Sequence, residues 1–166
     1  MCEDPAIIRK LLDVCVEATS RYALDLKRAG AHCTSNGEFG SDSISPMMYR
    51  RYCQPNLKAF FVRMSAAGFP GAVHQCGNTV AVLDEMSSCG AKIIELDPKT
   101  DMHVAKNAAR GRAVILGMVD PANVLHRGTP NWWRRKAGKR LTCWRPVAAS
   151  YWGRAALWCR RPPSTT

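Results

Sequence analysis

An imidazole and a thiol two residues apart, His74 and Cys76 in the run His74-Gln75-Cys76-Gly77-Asn78, are the chemically most capable pairing in the sequence. Side chains alternate along extended backbone, so these two leave the same side of a strand end. One nitrogen and one sulfur so placed suit a soft divalent metal, zinc before others. A zinc site needs at least three protein ligands, and the pair supplies two. The same spacing also suits a His and a Cys that merely pack together. Gly77 lets the chain turn away sharply and leaves room for a ligand. Gly77 and Asn78 are therefore the candidate cofactor-contacting residues. Three carboxylates follow other strand candidates: Glu38 (with Asp42 nearby), Asp97, and Asp120 in Gly117-Met118-Val119-Asp120-Pro121. Glu38, Asp97 and Asp120 are the candidate catalytic groups. Each also has a local reading, as a solvated loop carboxylate, the start of the Pro98 turn, and a helix cap respectively.

Alternating helices and strands must position these residues. Asp4-Pro5 is a helix start, and Ile8, Leu11, Leu12, Cys15, Val16, Tyr22, Ala23 and Leu26 continue it as an apolar stripe at helical spacing, ended by Gly30. Residues 31–35 predict a strand and residues 36–45 a Gly/Ser-rich loop. Ser45-Pro46 opens a second helix, broken near Pro55, with Met47, Met48, Phe60 and Phe61 in the core. Gly71 begins a strand that ends at Cys76. Residues 79–88, 100–109 and 121–125 predict helices, and residues 92–96 and 113–117 predict strands.

Strands separated by helices imply parallel βαβ units, in a doubly wound sheet or a barrel. Polar and glycine-bearing residues gather after the strands, the arrangement a (β/α)8 barrel uses for its site. A full barrel takes roughly 250 residues, about twice what these units provide.

The composition is that of a globular protein, with 46% hydrophobic residues in 166. No run is long and apolar enough to span a bilayer, and the first residues lack the order of a signal peptide. Eight cysteines without a CxxC pair read as buried thiols of a reduced, cytoplasmic protein. No nucleotide-binding or Ser-His-Asp pattern occurs. Nine of the basic residues behind the net charge of +11, and all five tryptophans, follow Asn131, where no acidic residue occurs. The chain divides accordingly into residues 1–130 and a Trp/Arg-rich tail, 131–166. Basic groups with interleaved indoles suit nucleic acid in principle, but no recognition motif accompanies them, and nucleic acid is not the expected partner.

The segments Asp4-Pro5, Ala29-Gly30-Ala31, Ile44-Ser45-Pro46, His74-Gln75-Cys76-Gly77-Asn78, Gly117-Met118-Val119-Asp120-Pro121 and Gly128-Thr129-Pro130 stand in the order found in the uroporphyrinogen decarboxylase superfamily. The chain most resembles its cobalamin-dependent methyltransferase branch. The resemblance implies an α/β fold, the carboxyl-terminal half of a partial TIM (β/α)8 barrel, with Met1 starting in mid-domain. It implies zinc, with His74 and Cys76 as ligands and a later cysteine as another. It implies methyl transfer to a small thiol from methylcobalamin, free or on a partner corrinoid protein. Met118 stands where the branch has asparagine. The alternatives are a tetrapyrrole-decarboxylating member of the superfamily, or an inactive truncated product.

Cys159 is the late cysteine in order along the chain, and so the candidate third ligand. Its surroundings differ from the family's, since residues 131–158 read as neither an amphipathic helix nor a glycine-rich strand. Synonymous codons for the tail can be chosen that, read from the third base of the Asn131 codon, give a charged helix, a Gly-Gly-Gly-Phe-Ile-Leu strand and a Gly-Cys. The tail therefore reads as frameshifted. On that reading the original ligand was encoded across Ala155 and Ala156, and Cys159 is coincidental.

Overall fold

Asp4 caps the first helix, α1 (Pro5–Arg28), by accepting from the Ala6 and Ile7 amides at 2.9 and 3.2 Å, with proline in the first turn. The computed structural model describes residues 4–38, 41–117 and 119–148. The stripe expected to bury α1 is only partly covered. Ala23 is buried, whereas Leu11 and Tyr22 are exposed. Leu12, Val16, Ala23 and Leu26 instead line a groove of about 550 Å³ shared with the first strand. Polar ties hold α1 beside α3 (Gln54–Ala66): Arg63 meets Glu17 at 2.6 Å, and Lys27 donates to the Ala67 carbonyl just beyond α3.

Strand β1 (Thr34–Glu38) begins three residues later than expected and runs into the Gly/Ser-rich text read as loop. Pairing with β2 (Gly71–Gln75) outweighs the poor strand propensity of Asn36 and Gly37. Ser45 caps α2 (Pro46–Met48) through the Met48 amide at 3.2 Å. Over Tyr49–Cys53 the helix widens, its hydrogen bonds spanning one residue more, before tightening into α3. Pro55, which has no N–H to give, lies just after that widening. The shift in helical phase buries Tyr49 and leaves Met47 70% exposed, so Met47 is not core. Phe60, Phe61 and Met64 are buried as the spacing predicts, and the two phenyl rings meet edge to face.

After β2 come a tight turn (Val80–Val82), α4 (Leu83–Ser87), β3 (Ile93–Leu96), α5 (Met102–Ala109) and β4 (Val114–Gly117). The four strands are parallel in the order β1-β2-β3-β4. Their register aligns Gly37, His74, Glu95 and Leu116 in one row, and Glu38, Gln75, Leu96 and Gly117 in the next. Val73, Ile94 and Leu96 face the covered side and are almost wholly buried. At Gly71 an added Cβ would lie 2.7 Å from Phe61 Cδ1, so only glycine lets α3 approach this closely.

The chain forms two compact units, divided between residues 118 and 119. In the second, Asp120 caps a widened turn (Pro121–His126) through the Ala122 and Asn123 amides at 2.9 and 2.8 Å. Helix α6 (Pro130–Ala148) follows, formed by residues in which the sequence shows no amphipathic pattern. Trp133 Nε1 donates to the Val124 carbonyl at 2.6 Å, and Lys136 Nζ lies 5.9 Å from the centre of the Trp132 ring. Anchors of this kind let a sequence without a clear amphipathic pattern continue as helix. The change of composition at Pro130 and the change of packing unit therefore do not coincide. Among the described residues no helix is long and apolar enough to cross a membrane.

Candidate functional site

The end of β2 gathers the expected pair. His74 Nε2 lies 3.1 Å from Cys76 Sγ, and both side chains are partly exposed. The other ring nitrogen, Nδ1, lies 3.2 Å from Glu95 Oε2. Register explains this contact, because Glu95 is the direct cross-strand neighbour of His74 on β3. On the β1 side the neighbour is Gly37, which has no side chain to fill the space. The sulfur contact is at hydrogen-bond distance, and a carboxylate on the other ring nitrogen is a partner that metal-ligating imidazoles also have.

The donor types fit zinc, as two of its ligands. Among the described residues no group of three or more His, Cys, Asp or Glu side chains gathers to hold a metal ion. Cys159, the expected third ligand, lies outside the described residues, as do Met118 and the rest of the segment 149–166.

The backbone around Cys76 is fixed from several sides. The Cys76 amide donates to the Glu38 carbonyl at 3.3 Å. Asp97 donates its own amide to the Gln75 carbonyl at 3.3 Å, and its carboxylate accepts from the Gly77 amide at 3.3 Å. The Asn78 side chain accepts from the Val80 amide at 3.2 Å and so is occupied within its own turn. Gly77 has φ of +87°, and a Cβ there would strike the Asp42 carboxylate. The positive φ favours glycine, while the exposed Asp42 side chain could move aside. Asp42 thus reaches this turn from the loop after β1, and Asp97 from the end of β3.

Glu38 takes a different place. It is in register with Gln75, so alternation turns it away from His74 toward the layer of helices. There the Tyr49 hydroxyl donates to Glu38 Oε2 at 3.2 Å. Burial holds the Glu38 carboxyl above its ordinary range, with the Tyr49 hydrogen bond opposing it. Burial, and then the nearby Glu38, likewise raise the Tyr49 hydroxyl and push the Cys53 thiol up to about 11. Glu38 is therefore brought near the site through its carbonyl, not through its carboxylate. In the second unit, the Asp120 carboxyl is held below its ordinary range by the Asn123 amide and side chain.

The sequence reading missed Glu95, Tyr49, Thr79 and Thr100. A signal for Glu95 was present, since a carboxylate interrupts the apolar run Ile93-Ile94-Glu95-Leu96 on the alternate phase. None marked Thr100, whose hydroxyl donates to the Gly77 carbonyl at 3.2 Å and accepts from the Thr79 amide at 3.1 Å.

Comparison with known proteins places relatives beside this geometry. A family model described as uroporphyrinogen decarboxylase matches residues 1–145. A uroporphyrinogen decarboxylase from Thermus thermophilus is 30% identical over 125 residues, which are 75% of this chain and 36% of that protein. Methylcobamide:CoM methyltransferase MtbA from Methanosarcina mazei is 29% identical over 126 residues, 75% of this chain and 37% of its own. The solved structure of a methyltransferase from Methanosarcina mazei superposes with a TM-score of 0.75 at 25% identity, covering 81% of this chain and 40% of that one. The chain thus spans well under half the length of these relatives.

Proposed function

The chain belongs to the uroporphyrinogen decarboxylase family, and from that premise we propose that its site holds zinc and serves methyl transfer from a corrinoid to a small thiol. The observation that carries this reading is the contact of His74 Nε2 with Cys76 Sγ at 3.1 Å, with Glu95 on the opposite ring nitrogen. His74 and Cys76 would hold the metal, the remaining ligands coming from outside the described residues. Zinc, when bound, lowers the pKa of a coordinated thiol and makes it a nucleophile at neutral pH.

The chain's own residues prepare that chemistry. Glu95 accepts the Nδ1 proton of His74, which fixes the tautomer and leaves the Nε2 lone pair directed to the Cys76 side. Gly37 leaves the approach on the β1 side clear of side chains. In the reaction the new bond joins sulfur to the methyl carbon, the thiol proton is released, and the corrinoid cobalt keeps the electron pair of the broken cobalt–carbon bond. Methylcobalamin or a corrinoid protein is the donor partner in this reading, and no membrane or nucleic-acid partner is required.

The names of the Thermus relatives favour a second reading, decarboxylation of an acidic tetrapyrrole. A direct assay separates the two. The full chain is incubated with methylcobalamin and a small thiol, and separately with uroporphyrinogen. The proposal expects thioether formation that falls at least about 100-fold in His74→Ala and Cys76→Ala. Carbon dioxide release from uroporphyrinogen, indifferent to both substitutions, would replace it with the second reading. Neither product from a folded, zinc-loaded chain would leave the inactive alternative.

A further inference from the structure

Both residues flanking Cys76 are bonded to the same neighbour, Asp97. Asp97 gives its amide to the Gln75 carbonyl before Cys76 and takes the Gly77 amide after it, each at 3.3 Å. Its second carboxylate oxygen accepts from the Lys99 amide at 2.9 Å, so the side chain is anchored as well as anchoring. Three residues on, Thr100 continues the grip. Its hydroxyl donates to the Gly77 carbonyl at 3.2 Å, accepts from the Thr79 amide at 3.1 Å and meets the Thr79 hydroxyl at 3.0 Å. Thr79 and Thr100 are almost wholly buried, at 0% and 3% exposure, so these bonds have little competition from water.

We infer that Asp97 and Thr100 are positioning residues, a clamp carried by the β3–α5 loop that sets where the Cys76 sulfur points. Asp97 consequently acts on the backbone of the Cys76 turn, not on a reacting atom. The clamp rests on the reading of Cys76 as a metal donor only for its purpose; its geometry stands apart from it. A sulfur at a chain reversal whose glycine has φ of +87° is easily misdirected, because that turn has no regular ladder to hold it. Two side chains from the loop that follows β3 supply the missing constraint. A site held this way keeps its aim only while the loop of residues 97–100 is intact.

The test uses the full chain and four variants, Asp97→Ala, Asp97→Asn, Thr100→Val and Thr100→Ser. Thr100→Val keeps the volume and loses the hydroxyl; Thr100→Ser does the reverse. Amide hydrogen exchange of residues 77–79 is read residue by residue, beside thermal melting and zinc affinity by chelator competition. The clamp predicts exchange at these amides faster by about tenfold or more in Asp97→Ala and Thr100→Val, near the original rate in Thr100→Ser, and unchanged in the buried strands. It also predicts zinc binding weakened about 10- to 100-fold in the first two and restored by serine. Asp97→Asn keeps one acceptor oxygen and should fall between, which retains the test if an alanine or valine variant unfolds. Unaltered exchange at residues 77–79, or acceleration spread equally over the whole chain, would overturn the clamp. Should the unsubstituted chain bind no zinc, the metal reading fails while the exchange pattern still decides the clamp.

Discussion

Glu95 and Gly77 show how much a single position determines here. Glu95→Gln keeps the shape of the side chain and removes the negative charge beside His74 Nδ1. It should weaken zinc binding by about tenfold with little change in melting temperature, measured by chelator competition. Gly77→Ala must place a Cβ against the Asp42 carboxylate at a φ of +87°, and should cost about 1–3 kcal/mol in urea unfolding. Glu38 gives a pH dependence with a definite sign. Its carboxyl holds its proton more tightly folded than unfolded, so stability is fullest at acid pH and declines as pH rises through and above the ordinary value of 4.5. Glu38→Gln should remove that decline, visible as a flatter denaturation midpoint between about pH 4 and about pH 7. A wild-type midpoint that instead rises over this range relative to the variant would contradict the burial of Glu38. The His74 and Cys76 pairing was legible because alternation on a strand is strict. The partners of Glu38 and Thr100 were not, because a hydrogen bond between residues far apart in sequence leaves no local pattern.

At the level of elements, short-range signals located most helices and strands, and tertiary pairing moved their ends. The Asp4 and Ser45 caps stood where the sequence placed them, since a cap is formed within four residues. β1 moved three residues toward its carboxyl end because β2, not its own Asn-Gly text, decides its register. Met47, expected in the core, is exposed beside the widening at Tyr49–Cys53, an effect no periodicity can anticipate across a break. The close approach of α3 to β2 gives a further expectation. Gly71→Ala would push against the Phe61 ring and should destabilise the chain by about 1–3 kcal/mol, whereas Phe61→Ala should cost about 3–5 kcal/mol, both by urea titration. Equal, small effects would mean that α3 is not seated on the sheet as described.

For the molecule as a whole, the sheet order leaves β1 and β4 each with one side unpaired by any strand among the described residues. Val114 and Leu116 on β4 and Leu11 and Val14 on α1 are exposed. Such edges and apolar surface favour association, so sedimentation should show species that grow with concentration. A single monomeric boundary at all concentrations would contradict this. The barrel resemblance was legible from the order of segments, whereas the helix α6 was hidden by a tail whose composition follows no amphipathic rule. The frameshift reading of that tail predicts that its nucleotide sequence, read from the third base of the Asn131 codon, encodes the helix, the glycine-rich strand and the Gly-Cys. Stop codons in that frame would refute it. The most direct test of the central claim is zinc-edge X-ray absorption on the full chain with bound metal. The account predicts a first shell containing both sulfur and imidazole nitrogen, with the sulfur signal reduced in Cys76→Ser and the imidazole signal lost in His74→Ala. A shell of oxygen alone, unchanged by either substitution, would contradict it.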